Sequence, residues 1–318
     1  MYKGFKVGVV IPAYNEAGLI RLTLEGMPNF IDRMFVINDC SIDDTRDIIV
    51  EMQQADNRIT LIDHEINKGL GQSLIDGYVA SRESDIQITV IMAGDNQMDP
   101  NDLPALLDAI AEDEYDYVKG NRLLHKQIGS MPKYRFLGNS LLTILTKFAT
   151  GYYFSMDPQC GYTAIDNRAL KRIPIEEMTK RYGYNADILC MLNIQGFAVT
   201  DVEVRPVYDR EKSKIKLYKY IPKTSWLLLK LFFKRLWHRY VVLDFHPLVL
   251  FFTFGIVTLF GIALPFFIRT LLYYNDTGEI PGITGAIFLF SGMFAFQSLL
   301  FSIWMDMDYN RRSNRRRR

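Results

Sequence analysis

Cysteine is scarce in this chain: Cys40, Cys160 and Cys190 are the three in 318 residues, and no two form a CxxC pair. That excludes a disulfide framework and a zinc ribbon, and it fits a reducing compartment for the soluble part. Histidine offers no metal site either. His64, His125, His238 and His246 are scattered without ligand spacing, and each reads as a surface or interface residue. Met1 to Phe5 is short and polar, which predicts no secretory leader. Internal repeats and low-complexity linkers are missing as well. Net charge is almost absent, at +1, but the balance is local. The chain ends in Arg311-Arg312-Ser313-Asn314-Arg315-Arg316-Arg317-Arg318, directly after an apolar segment. Beside such a segment a cationic run reads as a topogenic signal for anionic lipid headgroups, not as a nucleic-acid contact.

What is present begins with alternation. Val7–Ile11, Arg33–Ile37, Ile59–Ile62 and Ile86–Met92 are short, rich in β-branched residues and bounded by turn formers. Helical patterns lie between them, at Ala17–Gly26, Asp43–Gln54 and Gly71–Ser81. This order predicts an α/β fold with a mostly parallel sheet and helices on both faces. Past Pro100 a helix at Leu103–Ala111 and a strand at Tyr117–Gly120 precede a longer, more polar stretch. Ordered segments return near Thr163–Asp166 and Val199–Pro206.

The character changes from Leu217 to Phe245. Trp226, Leu227, Leu228, Leu229, Leu231, Phe232 and Phe233 are interleaved with Lys223, Lys230, Lys234, Arg235 and Arg239, a pattern suited to a membrane interface. Pro247–Ile268 and Ile280–Met305 then carry no charge, and each is long enough to cross roughly 30 Å of hydrocarbon. The expected domains are a globular unit over 1–215, amphipathic juxtamembrane helices over 216–245, a two-helix transmembrane hairpin over 246–306 and a basic tail over 307–318. Asp276 and Glu279 mark the loop between the spans, and the basic flanks place both termini in the cytoplasm. Gly255, Gly261, Gly285 and Gly292 suit close packing against another copy, or equally within one chain.

Three loops concentrate the chemistry. Ile11-Pro12-Ala13-Tyr14-Asn15-Glu16, Asn38-Asp39 and Gly94-Asp95-Asn96-Gln97 each follow a predicted strand. Parallel neighbours would open all three at one sheet edge, where α/β sheets bind ligands. Carboxylates alone repel a nucleotide diphosphate, whereas a shared divalent cation joins the two. Asp95 is the first-choice ligand, Gln97 offers an amide oxygen from the same loop, and Asp39 is placed to accept hydrogen bonds from ribose or base. Alone, Asp39 reads as well as a cap for the following helix, and Asp95 as a loop cap before Pro100. Lys68-Gly69-Leu70-Gly71 lacks the third glycine of a dinucleotide fingerprint and reads as a close backbone approach at a helix start.

These segments, with Asn-Asp-x-Ser-x-Asp-x-Thr from Asn38, Asn67-Lys68-Gly69-Leu70-Gly71 and Gly94-Asp95-x-Gln97-x-Asp99-Pro100, resemble the inverting family 2 glycosyltransferases. More narrowly, the chain is similar to the polyprenyl-phosphate glycosyltransferases that act on dolichyl or undecaprenyl phosphate, of the dolichyl-phosphate mannose synthase type. The motifs span about the first two-thirds of the chain and are specific as an ordered set. The resemblance implies an A-type nucleotide-diphospho-sugar transferase domain, Rossmann-like, and Mg²⁺ or Mn²⁺ as cofactor. It implies Pro12, Tyr14, Glu16, Asp39, Lys68, Gly94 and Asp95 around the donor and Asp95 with Gln97 on the metal. It also implies Arg122 and Arg135 near the phosphates, Arg210, Ser213 and Lys214 near the acceptor phosphate, and Asp157 close to the reacting centre. The family's acidic motif usually opens with Asp where this chain has Ala93. Asp99, a water or the donor's own oxygens would then complete the metal shell.

The expected reaction is transfer of a hexosyl group to a polyprenyl phosphate with inversion at the anomeric carbon. A phosphate acceptor is nucleophilic at neutral pH, with a second ionisation near pH 6, so a strong base is optional. Asp157 would orient the acceptor or act as base, and Asp187 is a further candidate. The alternatives are a membrane-bound family 2 enzyme acting on a sugar hydroxyl or a diacylglycerol, and a nucleotide-binding scaffold inactivated at Ala93.

Overall fold

The computed structural model describes residues 1–122, 133–180, 183–205 and 217–314. It divides into two units, Met1–Arg235 with Ser313–Arg318, and Leu236–Arg312.

The first unit is built on seven strands: β1 (Val7–Ala13), β2 (Arg33–Asn38), β3 (Ile59–Asp63), β4 (Ile88–Ile91), β5 (Tyr117–Asn121), β6 (Thr163–Asp166) and β7 (Val199–Glu203). Their order in the sheet is β3-β2-β1-β4-β6-β5-β7. All pairs are parallel except those of β6, which runs against β4 and β5. The carboxyl ends of β1, β2, β4 and β5 therefore share one edge with the start of β6.

Helices α1 (Ile20–Glu25), α2 (Thr45–Ala55), α3 (Leu70–Glu83), α4 (Leu103–Ala111), α5 (Lys133–Thr150), α6 (Asn167–Leu170) and α7 (Tyr184–Ile194) connect the strands. The two-residue period of a strand sorts the core. Val7, Val9 and Ile11 of β1 join a cluster with α1, α2 and α4, while Val10 joins a second cluster with α3 and α7. Each such aliphatic side chain, fully buried, contributes roughly 1.5–3 kcal/mol. Helix α8 (Leu217–Trp237) packs Leu228 and Leu231 against Leu142 and Ala149 of α5 and Cys190 of α7. Buried Arg235 donates to the carbonyls of Phe148 and Ala149, beyond the last amides of α5 that could cap them. Trp226, Leu229, Phe233 and Trp237 remain exposed on the other face of α8.

The second unit holds α9 (Leu248–Thr258), α10 (Leu264–Thr277) and α11 (Gly282–Ser313). A π-helical turn over Leu259–Ala263 joins α9 to α10. Pro265 follows it, and the wider turn relieves the clash that a proline ring makes with the carbonyl four residues earlier. Among the described residues two helices are long and apolar enough to cross a membrane, over Leu248–Thr277 and Gly282–Arg312. They approach closely at Gly255, where a Cβ would stand 2.8 Å from Leu299 Cγ. Gly255 is thus used within the chain, whereas added Cβ atoms at Gly261 and Gly292 would meet nothing. Below the apolar stretch lies a buried polar knot. Tyr240 Oη donates to Asp306, and Asn310 Nδ2 donates to Tyr240 Oη at 2.9 Å and to Asp306 Oδ1 at 2.8 Å. The Arg239 guanidinium stacks 5.0 Å from the Tyr309 ring centre.

Candidate active site

Each loop at the carboxyl edge turns through one left-handed residue: Asn15 after β1, Cys40 after β2 and Asn96 after β4, with φ of 57°, 58° and 55°. Side chains rarely adopt this conformation, and such residues gather where a chain must be aimed. The first two loops are stitched together. Asn15 N donates to Ser41 Oγ at 3.0 Å, Ile42 N donates to Asn15 Oδ1 at 2.9 Å, and Glu16 N donates to Thr45 Oγ1 at 2.8 Å. Pro12 is buried within β1, and its carbonyl accepts from Gly94 N at 3.2 Å. Tyr14 projects from the edge, about half exposed.

Asp39 is not a cap for α2. It is 4% exposed and faces the opposite neighbour, the turn before α3. Its Oδ1 accepts from Lys68 N at 2.8 Å and its Oδ2 from Gly69 N at 2.8 Å. His64 Nδ1 lies 2.8 Å from the same Oδ1. The expectation that His64 is a surface or interface residue is therefore corrected. Its side chain is 3% exposed and is wedged between Asp39 and Asp76, with Nε2 2.8 Å from Asp76 Oδ2. Its partners come from β2 and α3, so no local spacing announces them.

Two strands along from β2, a distance of about 10 Å at the usual strand spacing, a cavity of about 70 Å³ is lined by Asp95, Gln97, Met98, Arg122, Cys160, Gly161, Tyr162, Val204 and Arg205. It brings the two proposed metal ligands together with Arg122. Asp95 Oδ1 accepts from Gln97 N at 3.1 Å, a turn that sets both side chains in one short loop. One carboxylate and one amide oxygen suit a hard divalent cation whose remaining positions go to phosphate oxygens and water. Among the described residues no cluster of three or more His, Cys, Asp or Glu side chains is poised for a metal. The donor set fits an ion brought in with a diphosphate, not a closed protein cage.

Arg122 leaves the end of β5 and grips Asp157, with Nε to Oδ2 at 2.8 Å and Nη2 to Oδ1 at 3.2 Å. Beneath them Lys119, fully buried, donates to the Asp157 carbonyl and lies 3.5 Å from Asp201 Oδ1. Asp201 in turn accepts from Met156 N at 2.9 Å, so the loop into β6 is fixed from below. Burial pushes the Asp157 carboxyl upward, but the hydrogen bonds and charge of Arg122, with the charge of Lys119, outweigh it and hold the group below the usual carboxylate range. A carboxylate so held is a weak proton acceptor. Burial pushes the Cys160 thiol up and the Cys190 thiol up to about 12, which removes both as nucleophiles.

Sequence reasoning missed Arg205. It lines the cavity from the end of β7, with Nη1 3.3 Å from Asp99 Oδ2 and Nε 3.5 Å from Asp102 Oδ1. Its signal was present, as a cation just after the last strand. Asp99 is thereby engaged with Arg205. Asp187 accepts from Thr179 N at 2.8 Å and from Thr179 Oγ1 at 2.7 Å, a brace away from the cavity lining. Arg135 falls within α5. Arg210, Ser213 and Lys214 lie outside the described residues.

A family model described as Glycosyl transferase family 2 matches residues 8–178, just over half of the chain. A UDP-N-acetylglucosamine–dolichyl-phosphate N-acetylglucosaminyltransferase of Methanococcus voltae is 28% identical over 214 residues, covering 63% of this chain and 85% of that one. An undecaprenyl-phosphate mannosyltransferase of Micrococcus luteus is 25% identical over 216 residues, covering 67% and 87%. Among solved structures, glucosyl-3-phosphoglycerate synthase of Mycobacterium tuberculosis, in complex with Mn²⁺, UDP and glucosyl-3-phosphoglycerate, superposes with a TM-score of 0.52. It is 17% identical, over 73% of this chain and 80% of that one. At that identity the likeness speaks for the fold.

Proposed function

This chain belongs to glycosyl transferase family 2, and on that premise we propose that it transfers a hexosyl unit from a nucleotide-diphospho-sugar to a polyprenyl phosphate, with inversion, at the cytoplasmic membrane face. The observation that carries the reading is the cavity in which Asp95 and Gln97 stand with Arg122 and Arg205. Oxygen donors for a cation and fixed guanidinium groups for phosphate share one small space. Relatives named for dolichyl and undecaprenyl phosphate support the acceptor class, and the two apolar helices support a membrane anchor.

The residues divide the work. Pro12, Tyr14, Glu16, Asp39, Lys68 and Gly94 would line the nucleotide end, with Asp95 at the diphosphate. Mg²⁺ or Mn²⁺ held by Asp95 and Gln97, when bound, would stabilise charge on the departing diphosphate. Arg122, already oriented by Asp157, and Arg205 offer planar forks that match phosphate oxygens. The acceptor brings its own anionic nucleophile, so the reaction needs alignment and charge neutralisation more than deprotonation. That favours a phosphate over a hydroxyl acceptor, because Asp157 is held too acidic to serve well as a base. Arg135, Arg210, Ser213 and Lys214 would add to the acceptor side.

The test is a transfer assay on detergent-purified protein with radiolabelled UDP- and GDP-sugars, Mg²⁺ or Mn²⁺, and polyprenyl phosphate. The expected product is a lipid-linked sugar labile to acid and resistant to alkali. Product from diacylglycerol but none from polyprenyl phosphate would overturn the acceptor assignment. Absence of metal-dependent turnover with any donor would overturn the enzyme.

A further inference from the structure

Asp39, His64 and Asp76 form a closed ring with the start of α3, and nothing in the proposed reaction yet uses the histidine. Asp39 Oδ1 accepts from Lys68 N at 2.8 Å and Oδ2 from Gly69 N at 2.8 Å. His64 Nδ1 lies 2.8 Å from Oδ1. On its other side, His64 Nε2 lies 2.8 Å from Asp76 Oδ2, and Asp76 Oδ1 accepts from Gln72 Nε2 at 2.9 Å. Gln72 and Asp76 are one turn apart on the helix whose leading residues are Lys68 and Gly69. The path from Asp39 through His64 and Asp76 thus returns, along the α3 backbone, to Asp39. The ring spans the end of β2, the end of β3 and the first turns of α3.

Two features argue that this ring is set for binding and is not general packing. A carboxylate offers about four acceptor positions. Three on Asp39 are taken by His64, Lys68 and Gly69, so its orientation is fixed in both planes and one position on Oδ2 remains. An apolar residue at 64 would fill the space equally well, yet it would leave Asp39 held by the Lys68 and Gly69 amides alone, with no tie to Asp76. The imidazole also lies within hydrogen-bond distance of two carboxylates, 2.8 Å from each, which links Asp39 and Asp76 through one rigid group.

We propose that His64 is a positioning residue for the donor nucleotide: it locks Asp39 and the Lys68–Gly69 turn into the shape that receives the nucleoside. The inference rests on the reading of Asp39 and Lys68 as donor contacts, and the controls separate the two. The experiment measures binding of UDP and GDP with Mg²⁺ by calorimetry to the full-length protein in detergent, alongside steady-state kinetics and thermal unfolding. His64→Leu is expected to weaken binding of the preferred nucleotide at least tenfold and to raise donor KM in parallel, while kcat at saturating donor stays within threefold. His64→Asn, whose amide can replace Nδ1 toward Asp39, is expected to recover most of the affinity. His64→Gln, which reaches past Asp39 toward Asp76, is not. Asp76→Ala opens the ring at a partly buried site and is expected to weaken binding in the same direction. Equal affinity in wild type, His64→Leu and Asp76→Ala overturns the proposal if Asp39→Asn weakens binding. Unchanged affinity in Asp39→Asn overturns the donor reading itself, and this inference with it. A loss shared by His64→Leu, His64→Asn and His64→Gln, tracking a fall in melting temperature and in kcat, assigns His64 to stability alone and also overturns the proposal.

Discussion

Exchanging Asp95 for Asn removes one charge from a short loop and leaves the core untouched. Turnover is expected to fall by about 100-fold or more, in the range that losing a charge-stabilising group in a dry site costs, with the melting temperature nearly unchanged. A radiolabel transfer assay paired with thermal unfolding checks both halves. Asp157 gives a sharper test, because its ionisation has a sign. Its carboxyl is held below the usual range, so its contribution to stability is complete above about pH 4 and is lost as acid takes the pH down through the lowered folded value. It therefore does not titrate across the neutral range. The acid limb of kcat/KM is expected near pH 6, from the second ionisation of the acceptor phosphate. Asp157→Asn should lower the plateau by loosening Arg122 and leave that limb in place. A limb that vanishes in the variant would make Asp157 the base. Of the individual residues, Asp39, Asp95, Gln97 and Arg122 are legible in the sequence because each follows a recognisable strand. His64 is not, since its partners lie on other elements and only the fold brings them near, and Arg205 carried only the weak signal of a cation just after β7.

Among the elements, α3 is tightly seated at its start. A Cβ added at Gly71 would stand 2.3 Å from the Thr179 carbonyl oxygen and 2.5 Å from the Lys180 carbonyl carbon. Both are backbone, and Thr179 is pinned by Asp187, so neither can yield cheaply. Gly71→Ala is expected to cost about 1–3 kcal/mol of stability, the usual range for overpacking, and to raise donor KM by shifting the Lys68–Gly69 turn. Denaturant unfolding and donor titration measure the two effects. Strands β1 to β5 and the helices before Pro100 were readable from alternation and turn chemistry, whereas β6 and β7 were legible only as ordered segments. Helix α5 was not. Its start is basic, with Lys133 and Arg135, and that charge masks the helical period. Helix α7 was missed for the opposite reason. Residues Ala186 to Asn193 are buried on every side, so the helix carries no amphipathic stripe to read.

For the molecule as a whole, the membrane reading commits to an orientation. The loop between the spans should face away from the cytoplasm, and the sugar-transfer unit should face toward it. Cysteine background is low, since Cys160 and Cys190 are buried and Cys40 is only partly accessible. A Thr277→Cys variant is therefore expected to react with a membrane-impermeant maleimide added to intact cells, while Cys40 reacts only after permeabilisation. Labelling of Cys40 in intact cells would reverse the topology. The two apolar helices themselves were legible in the sequence, because hydropathy along a span needs no tertiary partner.

The reversed direction of β6 has an evolutionary consequence. It lets a loop that precedes a strand meet loops that follow strands, so the edge is assembled from two consecutive stretches of gene and not from interleaved pieces. In the proposed division of work, the residues at the nucleotide end and the ion ligands Asp95 and Gln97 come first in the chain, and those that would reach phosphate oxygens or the acceptor begin at Arg122. A single crossover within α4 could graft a new sugar preference onto an old lipid preference. Diversification of such enzymes would then proceed by recombining halves as readily as by point substitution.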